Sequence, residues 1–432
     1  MVLSIRRSIW PLLLLSICTA FPTGLRADNW PQWRGPKHDG ISHEVGIPTT
    51  WSKTENVAWR LPLPGPAGST PVVWQDHIFL TSAEGPDLVL IAANTNGKQL
   101  WKQTLGTGDK KARGDEGNLA SPSPATDGEH VWAFVGTGDL HCYDFAGKLV
   151  WKANIQERYG KFEIQFGMSS TPVLDGDRLY LQLIHGEGNP KTREALVLAL
   201  DKATGKEVWK QPRPSEAHTE NEHSYASPTI YRDDKQAYLL THGADYTIAH
   251  SLEDGHELWR CGGHHDEKYN PTLRLVASPV AVPGLIIAPS AKNGPVLAIS
   301  PDAKGDITDS TKYRLWTREH NTPDVSSPLV YDGIVYLCRE NGNLLTLDAK
   351  TGAEIYEKTT HRDRHRASPV YADGKIYLSS RDGTISVIKT GREFEMLSQN
   401  KMEEDISASP AISNGRIYLR TFESLIAIGE KK

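Results

Sequence analysis

The chain has 432 residues, 38% of them hydrophobic, and carries a formal charge of −5. This acidic balance argues against a nucleic-acid partner, because phosphate binding requires a basic surface. Short strand-like stretches alternate with turns, 37 residues are glycine and 27 are proline, and long helical periodicity is missing. The composition predicts a soluble all-β protein without a transmembrane helix, which would need about 20 apolar residues in a row.

A targeting segment is predicted at the N-terminus. Two arginines precede the apolar stretch 9–17, and small residues up to Ala27 offer a cleavage site before Asp28. These features are typical of a secretory signal peptide, so we assign residues 1–27 to one and expect a periplasmic or extracellular protein. Its removal takes away three of the 48 basic residues and none of the 53 acidic ones, which leaves a charge of −8.

The four cysteines predict neither a lipid anchor nor a disulfide framework. Cys18 ends a stretch that resembles a lipidation motif, but Ile17 stands where that motif has a small residue. Cys142, Cys261 and Cys338 are too few and too widely spaced for a disulfide scaffold. Buried free thiols are expected, and one incidental disulfide is the alternative in an oxidising compartment.

A short extension precedes the main body of the chain. Residues 28–50 do not match the repeat described next, yet Trp30 and Trp33 lie within them and Trp51 follows directly. Large aromatic side chains bury much apolar surface. We therefore expect this extension to pack against the repeats, which occupy residues 51–430.

The repeat begins with a Ser-Pro or Thr-Pro dipeptide. It occurs eight times at intervals of 41 to 56 residues, at Pro71, Pro124, Pro172, Pro228, Pro279, Pro328, Pro369 and Pro410. An aromatic residue stands eight positions later in six repeats, at Phe79, Trp132, Tyr180, Tyr336, Tyr377 and Tyr418. Ile287 takes this place in one repeat, and Tyr238 is displaced by two positions in another. Asp-Gly or Asn-Gly turns between the two anchors predict a hairpin of two strands.

A third strand and an aromatic-bearing fourth strand complete each repeat. The fullest copy of the motif, from the end of the third strand to the aromatic residue of the fourth, runs from Ala199 to Trp209. We expect the aromatic residue to dock between adjacent repeats, with Phe394 in this place in the seventh repeat. The other docking residues are Trp59, Trp101, Trp151, Trp209, Trp259, Trp316 and Tyr356.

Four antiparallel strands per repeat predict the blades of a β-propeller, in which neighbouring blades bury each other's faces. The repeat after Pro410 has only three strands, and the strand around Trp59 has no repeat before it. Trp59 precedes Pro71 by 12 residues, as Trp316 precedes Pro328. We therefore predict an eight-bladed propeller whose last blade is completed by the N-terminal strand.

The motif ending in Trp209, with its weaker copies, resembles the tryptophan-docking repeat of the PQQ-binding-like, or quinoprotein-type, propellers. That resemblance covers nearly the whole mature chain. It implies one of two branches: dehydrogenases, which bind PQQ with calcium or a lanthanide in the axial funnel, or non-catalytic propellers of the BamB-like type.

The resemblance favours the non-catalytic branch. The dehydrogenases typically stack PQQ on a disulfide between adjacent cysteines, and no Cys-Cys pair occurs here. Their metal ligands and catalytic aspartate also have no assignable counterpart. We expect no cofactor, no metal and no catalytic residue, and keep a PQQ-dependent oxidoreductase with calcium as the alternative.

The connections between repeats are unequal in length. From docking aromatic to the next proline they span 19 to 23 residues after Trp101, Trp151, Trp209 and Trp259, but 12 or 13 after Trp59, Trp316 and Tyr356. Long loops on a rigid scaffold often bind partners. We therefore expect a monomer that presents these loops to a protein or an envelope polymer, with neutral loop expansion as the other interpretation.

Charged residues are predicted near the mouth of the axial channel, just before the first strands. They could hold a small polar ligand or simply be solvated. These residues are His223, Arg274, Asp324, Arg364, His365, Arg366 and Asp405.

Two further patterns bear on function. His264 and His265, followed by Asp266 and Glu267, are metal-ligand types, but adjacent side chains of an extended chain point apart, so we expect no metal. Carbohydrate binding is a second alternative, because exposed loop aromatics stack on sugar rings. The candidates are Tyr159, Phe162, Phe166 and Tyr269.

Overall fold

The computed structural model describes residues 1, 28–109, 117–185, 195–265, 269–291 and 293–430. The predicted signal peptide, apart from its first residue, lies outside the described residues, as do Asp266 and Glu267. The described chain forms eight antiparallel sheets with four strands from the repeats in each. The predicted eight-bladed β-propeller is therefore confirmed.

Each blade runs from an innermost strand to an outermost one. Blades 1 to 3 consist of β2 Val72–Trp74, β3 His77–Glu84, β4 Asp87–Asn94 and β5 Gln99–Thr107; β6 Ala125–Thr126, β7 His130–Phe134, β8 Asp139–Asp144 and β9 Leu149–Asn154; and β10 Val173–Asp175, β11 Arg178–Ile184, β12 Ala195–Asp201 and β13 Glu207–Pro212.

Blades 4 to 6 consist of β14 Thr229–Arg232, β15 Ala237–Gly243, β16 Tyr246–His250 and β17 Glu257–Cys261; β18 Val280–Val282, β19 Leu285–Pro289, β20 Val296–Ile299 and β22 Arg314–Arg318; and β23 Leu329–Tyr331, β24 Ile334–Cys338, β25 Asn343–Asp348 and β26 Glu354–Thr359. The short strand β21 Gly305–Asp306 pairs in parallel with β17 and so adds a fifth strand to blade 4.

Blades 7 and 8 consist of β27 Val370–Ala372, β28 Lys375–Ser379, β29 Thr384–Lys389 and β30 Met396–Lys401; and β31 Ala411–Ser413, β32 Arg416–Arg420, β33 Ser424–Ile428 and β1 Val57–Pro62. In blade 8, β1 pairs antiparallel with β33, with Trp59 opposite Ala427. The predicted closure of the ring by the N-terminal strand is thus confirmed.

Among the residues that the structure describes, helical structure is confined to the connections. The helix α1, Ile155–Tyr159, follows β9, and its N-cap Asn154 accepts a hydrogen bond from the backbone N–H of Glu157. A 3₁₀ turn spans Thr219–Glu222. No helix among the described residues is long and apolar enough to cross a membrane.

In seven of the eight repeats, the hydroxyl before the repeat proline links neighbouring blades. The backbone N–H of Thr70 donates to Ser123 Oγ at 2.9 Å, and Ser123 N–H donates to Thr171 Oγ1 at 3.1 Å. The same bond recurs around the ring from each blade to the next, through Ser227, Ser278, Ser327, Ser368 and Ser409. A buried N–H needs a partner, and this requirement explains why Ser or Thr precedes the proline.

Five of the predicted docking tryptophans share one arrangement. Trp59, for example, lies over Gly97 in the next blade's turn between its third and fourth strands and donates its Nε1–H to Thr95 O at 2.7 Å. The glycine is required, because its φ is +81° and an added Cβ would lie 2.6 Å from the indole. The other tryptophans arranged in this way are Trp101, Trp151, Trp209 and Trp316.

The seventh blade departs from the predicted pattern. Phe394 precedes β30 and is not in the docking position, which Ser398 occupies opposite Val387. That expectation was wrong because the fourth strand begins two residues later than the aromatic residue. Trp51 lies instead against Tyr377, with ring centroids 6.3 Å apart, and Ser398 Oγ donates to Thr49 O.

Candidate functional site

The extension enters the channel from one face of the ring. We call this the hairpin face, because the turns between first and second strands lie there, and the opposite face the connection face. Trp30 pairs with Val73 through two backbone hydrogen bonds of 2.8 Å, and Thr126 N–H donates to Pro31 O. These partners lie on innermost strands, so the extension lines the axis of the ring.

A buried arginine holds the extension in place across the channel. Arg34 is 2% exposed and donates to Asp39 O at 3.0 Å and to Pro328 O of blade 6 at 2.6 Å. Burial lowers the pKa of Arg34 to about 10, so it stays charged at neutral pH. The extension therefore closes the channel at the hairpin face.

A cavity of about 230 Å³ lies on the axis, with Trp33 of the extension in its wall. Phe166, Tyr225 and Arg274 from the long connections also line it. Its remaining walls come from positions before the first strands, including all seven hydroxyls that link the blades. The cavity is therefore a blind funnel that faces the connection face.

Each linking hydroxyl keeps a proton to donate. Ser227 Oγ, for example, accepts the N–H of Thr171 at 2.9 Å, and a serine hydroxyl has one donor besides its acceptor sites. Within the described part of the chain none of the seven donates a hydrogen bond. The funnel wall can therefore donate hydrogen bonds toward its centre.

A guanidinium stacked between aromatic rings forms the funnel mouth. Arg274 Cζ lies 4.7 Å from the Phe166 ring centroid and 6.0 Å from that of Tyr225. Its Nη1 donates to Glu220 Oε2 at 2.8 Å, whereas its Nε is buried without a partner. Burial raises the pKa of the Tyr225 hydroxyl, so it remains a neutral group.

The structure brings two of the predicted channel-mouth residues to the funnel, Arg274 and Arg366. Arg366 also lies 3.4 Å from Glu340. Among the described residues that line the funnel, the other predicted residues are missing: His223, Asp324, Arg364, His365 and Asp405.

Two of these other residues are buried histidines. His223 lies 3.7 Å from Glu222, and burial lowers its pKa to about 4. His365 is 1% exposed, with Nδ1 at 2.9 Å from Asp363 O. Asp405 is exposed and lies 3.7 Å from Arg381. These contacts hold protein structure together and leave the funnel to the arginines and hydroxyls.

The adjacent histidines point to different partners. His264 is fully buried, with Nε2 at 3.1 Å from Thr247 Oγ1, whereas His265 Nε2 lies 2.6 Å from Asp245 Oδ1. A different group, His361 with Asp363 and Asp382, has its ligand atoms within 4.8 Å of one another. The sequence did not single out this group, because Asp382 is brought in by the next blade.

The four candidate carbohydrate-stacking aromatics have different surroundings. Tyr159 is buried, and Phe162 packs against Phe134 and His185. Phe166 lines the funnel, and Tyr269 is exposed. One of the four is therefore buried, and a second, Phe162, is partly buried against the core.

Comparison with known proteins places the chain in a family. A family model described as outer membrane protein assembly factor BamB matches residues 49–189, 168–312 and 303–431. The chain belongs to this family. No curated protein matches the sequence.

Solved structures show the same fold at low sequence identity. BamB from Moraxella catarrhalis is 14% identical with a TM-score of 0.62, and the match covers 86% of this chain and 99% of BamB. Quinohemoprotein alcohol dehydrogenase from Comamonas testosteroni is 12% identical with a TM-score of 0.66, covering 94% of this chain and 81% of the enzyme. A europium-containing methanol dehydrogenase is 11% identical with a TM-score of 0.66, covering 93% and 89%.

The funnel wall does not offer the ligands that a quinone-bound calcium would need. Calcium takes six to eight oxygen ligands, mainly carboxylates and amide carbonyls. The described residues lining the funnel include no Asp, Glu, Asn or Gln, and they include the guanidinium groups of Arg274 and Arg366. Cys142, Cys261 and Cys338 are free and buried, and burial raises the pKa of each thiol to about 12.

Proposed function

We propose that this protein is an exported, non-catalytic propeller of the cell envelope that binds a protein partner at its connection face. The funnel mouth carries the proposal. Phe166, Tyr225 and Arg274 converge there, and aromatic residues and arginine dominate the energetic centres of protein interfaces. The recessed position of the three residues suits an anchor side chain inserted from a partner.

The lining of the funnel supports a binding role over a catalytic one. General acid–base catalysis requires a side chain that takes up or releases a proton near neutral pH, most often His, Asp or Glu. None of these lines the described funnel, although Ser and Thr hydroxyls are abundant. A hydroxyl without a base is a weak nucleophile but an effective hydrogen-bond donor.

The family supports an envelope role. The matching family model is described as an outer membrane protein assembly factor, and BamB is covered over 99% of its length. The predicted signal peptide agrees with a location outside the cytoplasm. The long connections after blades 1 to 4 would surround the funnel on one side and enlarge the contact.

Site-specific photo-crosslinking tests the proposed surface. A photoreactive residue at Phe166 in the full chain, expressed in the native envelope, should give a defined protein adduct that mass spectrometry identifies. The matched control is Asp177, which is exposed in the turn between β10 and β11 on the hairpin face. Adducts of equal yield from both positions, or none from position 166, would contradict the proposal.

A reconstitution assay tests the alternative of a PQQ-dependent oxidoreductase. With added PQQ and calcium, we expect no stoichiometric quinone absorbance and no dye-linked oxidation of alcohols or sugars. A bound-quinone spectrum together with turnover would replace the binding role with an enzymatic one.

A further inference from the structure

One carboxylate joins the start of the extension to the last blade. Asp28 N donates to Glu44 Oε1 at 2.9 Å. The same carboxylate accepts the backbone N–H of Asn414 at 2.7 Å and that of Gly415, in the hairpin turn between β31 and β32. Glu44 thus holds the nitrogen of Asp28 against blade 8.

This position carries negative charge without a cation. The Asp28 carboxylate accepts the N–H of His43 at 2.9 Å. Burial, and to a smaller extent the charge of Asp28, raises the pKa of Glu44, although backbone hydrogen bonds oppose this shift. Within the described ranges, no Lys or Arg side chain forms an ion pair with either carboxylate. A positive charge on the Asp28 nitrogen would complete the site.

We propose that the chain is cleaved between Ala27 and Asp28 and that the Glu44 carboxylate is a preformed hydrogen-bond acceptor and counter-ion for the new N-terminal ammonium group. Hydrolysis breaks the Ala27–Asp28 C–N bond with one water: Ala27 receives the carboxylate oxygen, and the Asp28 nitrogen becomes an ammonium group. The reacting peptidase belongs to the signal peptidase class. The inference rests on the export that the proposed function requires.

The new ammonium group would be well placed to stabilise the extension. An α-amino group has a pKa of about 7.7–8.0 in the absence of partners, and two flanking carboxylates favour its charged form. Asp28 O already accepts a hydrogen bond from Ser413 Oγ at 2.6 Å, and Asn29 Oδ1 accepts one from Gln75 N at 2.8 Å. The ammonium would therefore fasten the extension where blades 8 and 1 meet.

The test compares four exported proteins, each expressed as the full chain with its own N-terminal segment in a Gram-negative host. Two carry Glu44 and two carry Glu44→Gln. One of each pair has Gly-Ser inserted between Ala27 and Asp28, so that cleavage after Ala27 leaves the Asp28 nitrogen as a neutral amide. Intact mass gives the mature N-terminus, and denaturant unfolding gives the stability.

We expect the uninserted protein to begin at Asp28. Its unfolding equilibrium constant should be about tenfold smaller than that of the inserted protein, because a hydrogen bond from a charged donor stabilises the folded state more than a neutral one does, by about this factor in the equilibrium constant. In the Glu44→Gln pair this ratio should fall to near one. The insertion alters no side chain, so the first comparison stands even if Glu44→Gln does not fold.

The outcomes separate this inference from the proposed function. A product that begins at another residue, or equal stability of the two Glu44 proteins, overturns the N-terminus site and leaves a binding propeller possible. A product found only at full-length mass overturns export, and the processing inference with it. Loss of partner crosslinking alone overturns the binding role without affecting this site.

Discussion

Seven of the eight blade junctions differ from the eighth in how the inner strands are tied. At those seven, a backbone N–H before one proline donates to the Ser or Thr hydroxyl of the next blade. Between blade 8 and blade 1, which we call the closing junction, Thr70 Oγ1 is buried without a hydrogen-bond partner. Two arginines cross there instead: Arg420 donates to Gly65 O at 2.9 Å and Arg416 to Thr95 O at 2.7 Å.

The difference shows what a repeat can and cannot encode. A Ser-Pro or Thr-Pro dipeptide in each repeat supplies the same hydrogen bond wherever the two neighbouring blades have the same surroundings. At the closing junction the extension is seated beside blade 1, with Trp30 paired to Val73. There the long side chains of Arg416 and Arg420 make the hydrogen bonds between blades that serine and threonine hydroxyls make at the other junctions. Burial lowers the pKa of Arg420 to about 9, yet it stays charged at neutral pH and satisfies buried carbonyl groups.

The largest expected effect comes from removing a docking tryptophan at each kind of junction. Trp59→Ala at the closing junction and Trp209→Ala between blades 3 and 4 each remove an indole that covers a turn glycine. Each should lower the free energy of unfolding by about 3 kcal/mol or more. Hydrogen exchange should show loss of protection in β1 and β33 only for Trp59→Ala. Equal loss there for Trp209→Ala would mean that the two junctions are not independent.

Acid should weaken an internal junction before the closing one. His242 and His264 are buried between blades 4 and 5, and His250 is buried in blade 4 on the side facing blade 3, where it contacts Thr241 Oγ1. Burial lowers the pKa of His242 to about 3, that of His250 to about 4, and that of His264 well below its ordinary value. Between pH 6.5 and about 4 the unfolded chain therefore binds more protons than the folded one. The contribution of these neutral histidines to the free energy of unfolding is fully present above pH 6.5 and is lost as the pH falls toward about 4.

The expected slope is on the order of 1 kcal/mol per pH unit for each histidine that titrates. Denaturant unfolding at several pH values measures it, and His242→Gln should reduce the slope by about one proton, because glutamine does not titrate. Hydrogen exchange at pH 5 should show opening in β15 to β19 first. A stability independent of pH between 7 and 5 would contradict the buried neutral state of these histidines.

The repeat register predicted the blades and the ring closure because both follow from local patterns. Apolar alternation, turn glycines and the spacing from Trp59 to Pro71 act over a few residues. The pairing of Trp51 with blade 7 was beyond that reasoning, because it depends on contacts between residues more than 300 positions apart. Phe394 was misplaced since one strand began later than its counterparts.

The site was predictable in part. Arg274 and Arg366 were found from their position before the first strands, which places them at the channel mouth. His223 stands five residues before its repeat proline, as Arg274 does, and His365 directly precedes Arg366. Both histidines nevertheless turn into the protein, and sequence spacing does not determine that choice. Trp33 was assigned to an extension, but its place in the funnel wall follows from a path across the ring that no repeat encodes.

The smallest expected effects separate the two kinds of junction most directly, because the same residue type occupies the same repeat position in both. Thr171→Val removes the hydroxyl that accepts the buried N–H of Ser123, so the free energy of unfolding should fall by about 1–3 kcal/mol. Thr70→Val removes a buried hydroxyl that has no partner, so it should be neutral or slightly stabilising. Denaturant unfolding at pH 7.5 measures both changes. Equal losses from the two variants would mean that the closing junction uses its threonine hydroxyl as the other seven junctions use their serine or threonine hydroxyls.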